Sequence, residues 1–175
     1  MLEYRYPQIK YRKTTIRCKR WDYSSNGQYY ITICTKDRFP YFGRIVNKRM
    51  ELSDIGKYAK ECWIQTPQHF PGTIMDEYIF MPDHMHGIIT INHRLNHGRG
   101  AACGAPTNEM QTPLFTLGNI INSYKSAVSN VCHKNNKRFE WQRSYYDHIV
   151  HDGNELDFIR RYIYMNPVKY DRERR

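Results

Sequence analysis

Residues 73–91 read TIMDEYIFM (Thr73–Met81), Pro82-Asp83, then HMHGIITI (His84–Ile91). Both flanks are rich in β-branched and aromatic residues and predict strands. Two residues are too short a link for a parallel crossover, so the strands must pair antiparallel. Along a strand, side chains at i and i+2 face the same way, roughly 7 Å apart. His84 and His86 can therefore aim two imidazoles at one point while Met85 turns to the opposite face. Two neutral imidazoles are good ligands for a divalent metal, and such pairs are also found as ordinary hydrogen-bonded histidines. Gly87-Ile88-Ile89 after His86 breaks the HxHxDH zinc-hydrolase pattern. The PCxxC of the zinc deaminases is absent.

Working outward, Gln28–Thr35 (QYYITICT) reads as a strand that precedes this pair. A helix begins at Leu52-Ser53-Asp54 with Ser53 as cap, and Ile55, Tyr58, Ala59, Cys62 and Trp63 recur at helical spacing. Pro67 and Pro71-Gly72 are expected to end it. Thr116 caps a second helix through about Cys132. Phe139–Val150 reads as a fourth strand with its approach. A third helix runs from Glu155 to about Met165, and Pro167 is expected to stop it. The order is β-α-β-β-α-β with a further helix. This predicts an α+β fold, the ferredoxin-like split βαβ plan with an antiparallel sheet plus a C-terminal helix.

One domain over residues 28–170 is expected. A basic aromatic arm (1–27) precedes it and a charged tail (171–175) follows. A segment without apolar period, 92–114, is inserted as a loop. The arm reads either as a nucleic-acid contact or as a poorly ordered tail. Loop histidines His93 and His97 could extend a metal site, although such residues are ordinarily solvated.

The chain has 175 residues, 40% of them hydrophobic, and Lys+Arg exceeds Asp+Glu by 27 to 17, for a net charge of +10. That excess favours a polyanionic partner. Fifteen tyrosines among 14% aromatic residues suit single strands, whose bases stack on rings. Five scattered cysteines with no CxxC argue against a zinc ribbon or disulfide framework. No apolar run has the length of a membrane span, and a cytoplasmic protein, monomer or homodimer, is expected.

The third helix carries the second clue. Tyr162 and Asn166 lie one turn apart on one face, with Arg160 and Arg161 beside the tyrosine, where a phosphate could be held. Periodicity by itself places Tyr162 in a core stripe with Phe158. At the helix end that Pro167 implies, Asn166 would offer negative partial charge and a carboxamide oxygen to a cation.

His84-Met85-His86 after Met81-Pro82-Asp83 resembles the HUH motif, with a hydrophobic residue between the histidines. Tyr162-Ile163-Tyr164-Met165-Asn166-Pro167 resembles the tyrosine helix of the REP-associated tyrosine transposases, single-tyrosine HUH nucleases. Trp141–His148 is similar to the segment preceding that helix. The three motifs fall in the family's order across roughly Tyr29 to Tyr170.

The resemblance implies a metal-dependent transposase acting on single-stranded DNA, at hairpin-forming repeats, through a 5′-phosphotyrosine intermediate. It implies Tyr162 as nucleophile and His84, His86 and Asn166 as ligands of Mg²⁺ or Mn²⁺. Asn166 departs from the glutamine of related insertion-sequence transposases. Two imidazoles suit manganese or zinc equally well, so it is the resemblance that puts magnesium first. Candidate DNA contacts are Arg160, Arg161, Lys125, Arg143 and His148. The alternative is a non-catalytic regulator that binds single-stranded nucleic acid on the same fold.

Overall fold

The computed structural model describes residues 21–94 and 115–173. The arm up to residue 20, the insertion 95–114 and the last two residues lie outside the described residues. Strand β1 is Gly27–Cys34, β2 Gly43–Val46, β3 Arg49–Leu52, β4 Thr73–Met81, β5 His84–Ile91 and β6 Tyr146–Val150. Helix α1 spans Asp54–His69, α2 Leu117–Lys134 and α3 Gly153–Glu173. The main sheet has the order β4-β5-β1-β6, and every neighbouring pair is antiparallel. This is the split βαβ arrangement the sequence predicts, with β5 inserted between β4 and β1.

Alternation along β1 and β5 builds two cores. Tyr29, Ile31, Ile33, Met85, Ile89 and Ile91 face α1 and α2, meeting Ala59, Trp63, Ile120, Ile121, Tyr124 and Val128. Tyr30 and Ile88 face the other way, against Leu156, Ile159 and Ile163 of α3. The sheet is thus covered on both sides. Each large side chain so buried contributes about 1.5–3 kcal/mol before entropy is counted.

Both predicted caps are present. The Ser53 hydroxyl accepts from the Gly56 N–H, and Thr116 forms a capping box with Asn119.

Two prolines do not act as expected. Pro67 lies inside α1, which continues to His69. Pro167 lies inside α3, which continues to Glu173. Each proline removes one backbone donor, but its fixed φ is compatible with a helix. Packing of α3 against the sheet before Pro167, and of Lys169 over the Tyr162 ring after it, holds the helix across the break. Asn166 is therefore about two turns inside α3, which runs on to Glu173, and the helix-terminus argument for a cation there falls. The tail expected from residue 171 begins as helix.

The β2–β3 hairpin was not legible in the sequence. Its two-residue turn, Asn47-Lys48, has both φ values positive, 49° and 62°. A lysine stands where the usual hairpin signature has glycine. Residues 21–26, assigned to the arm, are joined to the domain: Trp21 Nε1 donates to the Tyr29 hydroxyl at 3.1 Å, and the Tyr23 hydroxyl to Asp147 at 2.6 Å.

Gly87 explains why the histidine pair is followed by no side chain. A Cβ there would lie 2.7 Å from Trp63 Cζ2, inside the α1-facing core. Gly87→Ala is expected to destabilise the fold by about 1–3 kcal/mol through overpacking. Chemical denaturation measures this, and an unchanged midpoint would refute it.

Candidate metal and tyrosine site

The β4–β5 hairpin and β1 set the site's floor. Across the sheet, His84 pairs with Cys34 and Met81, and His86 with Thr32 and Ile79. Both histidines are buried, at 6% and 2% exposure, on the face covered by α3. Their Nε2 atoms face each other at 3.1 Å. Their Nδ1 atoms face outward to protein partners. His84 Nδ1 lies 2.6 Å from an Asp83 carboxylate oxygen. His86 Nδ1 lies 2.8 Å from the Tyr30 hydroxyl and 2.9 Å from Thr32 Oγ1.

Burial lowers the pKa of both rings, more strongly for His86, against the opposing pull of Asp83 on His84. Neutral rings are the ligand form. With each N–H on Nδ1, two lone pairs converge between the rings, an arrangement that a divalent cation would stabilise. The 3.1 Å separation is close to the roughly 3.0 Å between adjacent ligand atoms about 2.1 Å from a six-coordinate ion. The donor set therefore fits a metal. Among the described residues, no three His, Cys, Asp or Glu side chains form a metal-binding group. Further ligands would be neutral oxygens, solvent or substrate.

Helix α3 brings the tyrosine. The Tyr162 ring lies 5.5 Å from the His86 ring and 6.4 Å from that of Tyr30, centroid to centroid. Asn166, buried at 6%, follows one turn on. Lys169 places its ammonium 5.7 Å from the Tyr162 ring centre. His84, His86 and Tyr162 thus come together within one chain.

The other sequence candidates separate. Arg160 is held by Asp76 of β4, with Nε and Nη2 donating to its two oxygens at 3.2 and 2.6 Å, and by Asp157 at 3.1 Å. Two residues before Tyr162, it points to a different side of the helix and clamps α3 to the bulge in β4 between Met75 and Tyr78. Arg161 is exposed. Lys125 is half-buried and donates to the carbonyls of Gln142, at 2.6 Å, and Arg143. Arg143 lies with Lys36, Arg38 and Trp141 along an open cleft. His148 pairs with Glu155 at 2.7 Å. His93 bonds the Ser24 carbonyl at 2.8 Å, away from the histidine pair. His97 lies outside the described residues.

Sequence reading missed Tyr30, Thr32, Asp83, Arg38 and Lys169. Alternation along β1 would have found the first two once the register was known. Lys169 lies seven residues after Tyr162, beyond a proline read as a stop.

The Arg160–Asp76 clamp has a pH signature. Burial raises the Asp76 pKa, but hydrogen bonds from Arg160 and the Glu77 N–H outweigh it, and the net shift is downward. A depressed carboxylate pKa means the contribution is present above the unfolded value and is lost as pH falls through the folded one. Asp76→Asn is expected to cost about 1 kcal/mol at neutral pH, because the partly exposed pair is screened. The difference from wild type should begin to shrink as pH falls past the ordinary aspartate value of about 3.9 and should vanish only below the lowered folded value. A pH series of melting curves measures it, and a difference that persists in acid would contradict the clamp.

Fold and site together define a ferredoxin-like α+β protein in which a helix-borne tyrosine packs against one of a pair of sheet histidines. No family model matches the chain. It is 36% identical over 170 residues to an uncharacterized protein of Haemophilus influenzae, covering 93% of this chain and 92% of that one. It is 23% identical over 158 residues to a second protein of that organism, provisionally named a REP-associated tyrosine transposase, covering 86% and 76%. The solved structure of a REP-associated tyrosine transposase bound to a REP hairpin shares the fold. Its TM-score is 0.57 at 17% identity, covering 89% of this chain and 74% of that one. The chain belongs to one family with the uncharacterized H. influenzae protein, is similar in sequence to the second protein of that organism, and shares the fold of the REP-associated tyrosine transposase. Among the described residues, no helix is long and apolar enough to cross a membrane.

Proposed function

We propose that the protein is a metal-dependent single-stranded DNA transposase that cuts and rejoins strands through a 5′-phosphotyrosine intermediate at hairpin-forming repeats. The carrying observation is the meeting of the Tyr162 ring with the His86 ring at 5.5 Å, where the His86 Nε2 faces that of His84 at 3.1 Å. Support for a hairpin substrate comes from the solved relative, which holds a REP hairpin. The net charge of +10 suits a polyanion.

His84 and His86 would hold Mg²⁺ or Mn²⁺, with Asn166 as a third, neutral oxygen donor. When bound, the ion would polarise a non-bridging oxygen of the scissile phosphate. Tyr162 supplies the nucleophile. Its phenolic oxygen bonds to phosphorus, the bond from phosphorus to the 3′ oxygen breaks, and that oxygen takes a proton from solvent to leave as a hydroxyl. The phenol proton passes to solvent. Attack by a 3′-hydroxyl on the phosphotyrosine reverses the step, so rejoining needs no nucleotide cofactor. Lys169 adds positive charge where an anionic phosphodiester would lie.

A base-stacking module needs an open sheet face, and here both faces are covered, by α1 and α2 on one side and α3 on the other. This disfavours a module that stacks bases on the sheet. Incubation with hairpin-bearing single-stranded DNA and Mn²⁺, followed by a denaturing gel, tests the proposal. A covalent adduct that EDTA prevents is expected. DNA binding with no adduct on any such substrate would overturn the enzyme reading in favour of a regulator.

A further inference from the structure

Behind His84 lies a chain of buried contacts that neither cutting nor metal binding requires as such. Asp83 is buried at 6% exposure, and its two oxygens are divided. One lies 2.6 Å from His84 Nδ1, the other 2.9 Å from Arg38 Nε. Its main chain is held as well: the Asp83 carbonyl accepts from both the Thr35 N–H, at 3.0 Å, and the Thr35 hydroxyl, at 2.8 Å. Arg38 also donates through Nη1 to Cys34 Sγ at 3.0 Å. It reaches this place from an unusual backbone, because Asp37 and Arg38 both have positive φ, 51° and 56°. Consecutive non-glycine residues in that region persist only where the surroundings fix them.

We propose that Asp83 and Arg38 are positioning residues that lock His84 in its Nδ1–H tautomer, so that Nε2 faces His86 as a lone pair. The functional consequence rests on the reading of His84 and His86 as a metal pair. An ionised carboxylate can only accept. The 2.6 Å contact to Asp83 therefore makes Nδ1 the donor and leaves Nε2 without a proton on the neutral ring. Arg38, bonded to the second carboxylate oxygen, fixes the orientation of the first toward His84. A ligand histidine whose other nitrogen is tied to a carboxylate gains basicity and a fixed ring orientation. A plain staple between the η-turn at Lys36–Arg38 and the hairpin would alter stability but leave the tautomer alone.

Histidine ¹⁵N spectra of the full chain at pH 8 separate these roles, with calorimetric Mn²⁺ titration alongside. Wild type should show His84 protonated at Nδ1. Asp83→Ala should mix the tautomers and weaken Mn²⁺ binding roughly 10- to 100-fold. Asp83→Asn, whose amide oxygen still accepts, should recover the tautomer and part of the affinity. Arg38→Ala should weaken binding less than Asp83→Ala. If Asp83→Ala does not fold, Asp83→Asn and Arg38→Ala carry the test through Mn²⁺ affinity. An Nε2–H tautomer in wild type overturns the proposal. So does an unchanged tautomer with Mn²⁺ affinity within about twofold in the folded variants. If wild type binds no Mn²⁺ but loses the Nδ1–H tautomer on Asp83→Ala, the positioning role stands and the metal reading fails.

Discussion

Tyr162→Phe is expected to abolish the covalent protein–DNA adduct while leaving the protein folded and able to bind hairpin DNA. Phenylalanine keeps the ring contacts to His86 and Tyr30, so the loss is confined to the hydroxyl. Its cost in stability should be about 1 kcal/mol or less. No other group replaces a missing nucleophile in a covalent mechanism, so cleavage should fall to the uncatalysed level. Tyr164 is the informative control. It is 77% exposed, two residues on and on another side of α3. Tyr164→Phe should retain the adduct in full. Denaturing gels with end-labelled DNA give both answers, and an adduct that survives Tyr162→Phe would remove the nucleophile from the account.

His84→Ala and His86→Ala should each lower the single-turnover cleavage rate roughly 10²- to 10³-fold, since a bound ion supplies several kcal/mol of stabilisation to the reacting phosphate. EDTA should reproduce the loss in wild type. The two variants should differ in stability. His86→Ala removes the partner of Tyr30 and Thr32 in a buried setting, at a cost of about 1–3 kcal/mol. His86→Asn keeps a polar group there and separates folding from metal loss. Activity retained in both alanine variants under excess Mn²⁺ would contradict the histidine site.

The fold was legible where sequence rules act locally. The β4–β5 hairpin follows from period-2 patterning and a two-residue link, and α1 and α2 from hydroxyl caps ahead of helical stripes. Rules failed where tertiary packing outweighs them. Pro167 reads as a stop, yet α3 runs on: it is packed against the sheet before the break, and Lys169 lies back over the Tyr162 ring after it. The β2–β3 hairpin lacks the glycine that marks such turns.

At the site, His84 and His86 were visible as a pair at strand spacing, whereas Tyr162 stood out only through the resemblance of its helix, periodicity by itself placing it in a core stripe. Their neighbours were not visible. Asp83 read only as a turn residue, and Arg38 sits in a patternless loop. Arg160 looked like a phosphate ligand because its charge lies two residues from Tyr162 in sequence. Along a helix, residues two apart diverge, and Arg160 found Asp76 instead.

Mass spectrometry of the trapped adduct tests the central claim most directly, that the histidine pair and Tyr162 form one strand-cleaving site. Wild-type protein reacted with hairpin single-stranded DNA and Mn²⁺ should yield one peptide carrying a 5′-linked nucleotide on Tyr162. The same reaction with His86→Asn should yield none. A nucleotide on Tyr164 or another tyrosine, or an adduct undiminished without the histidine, would contradict it.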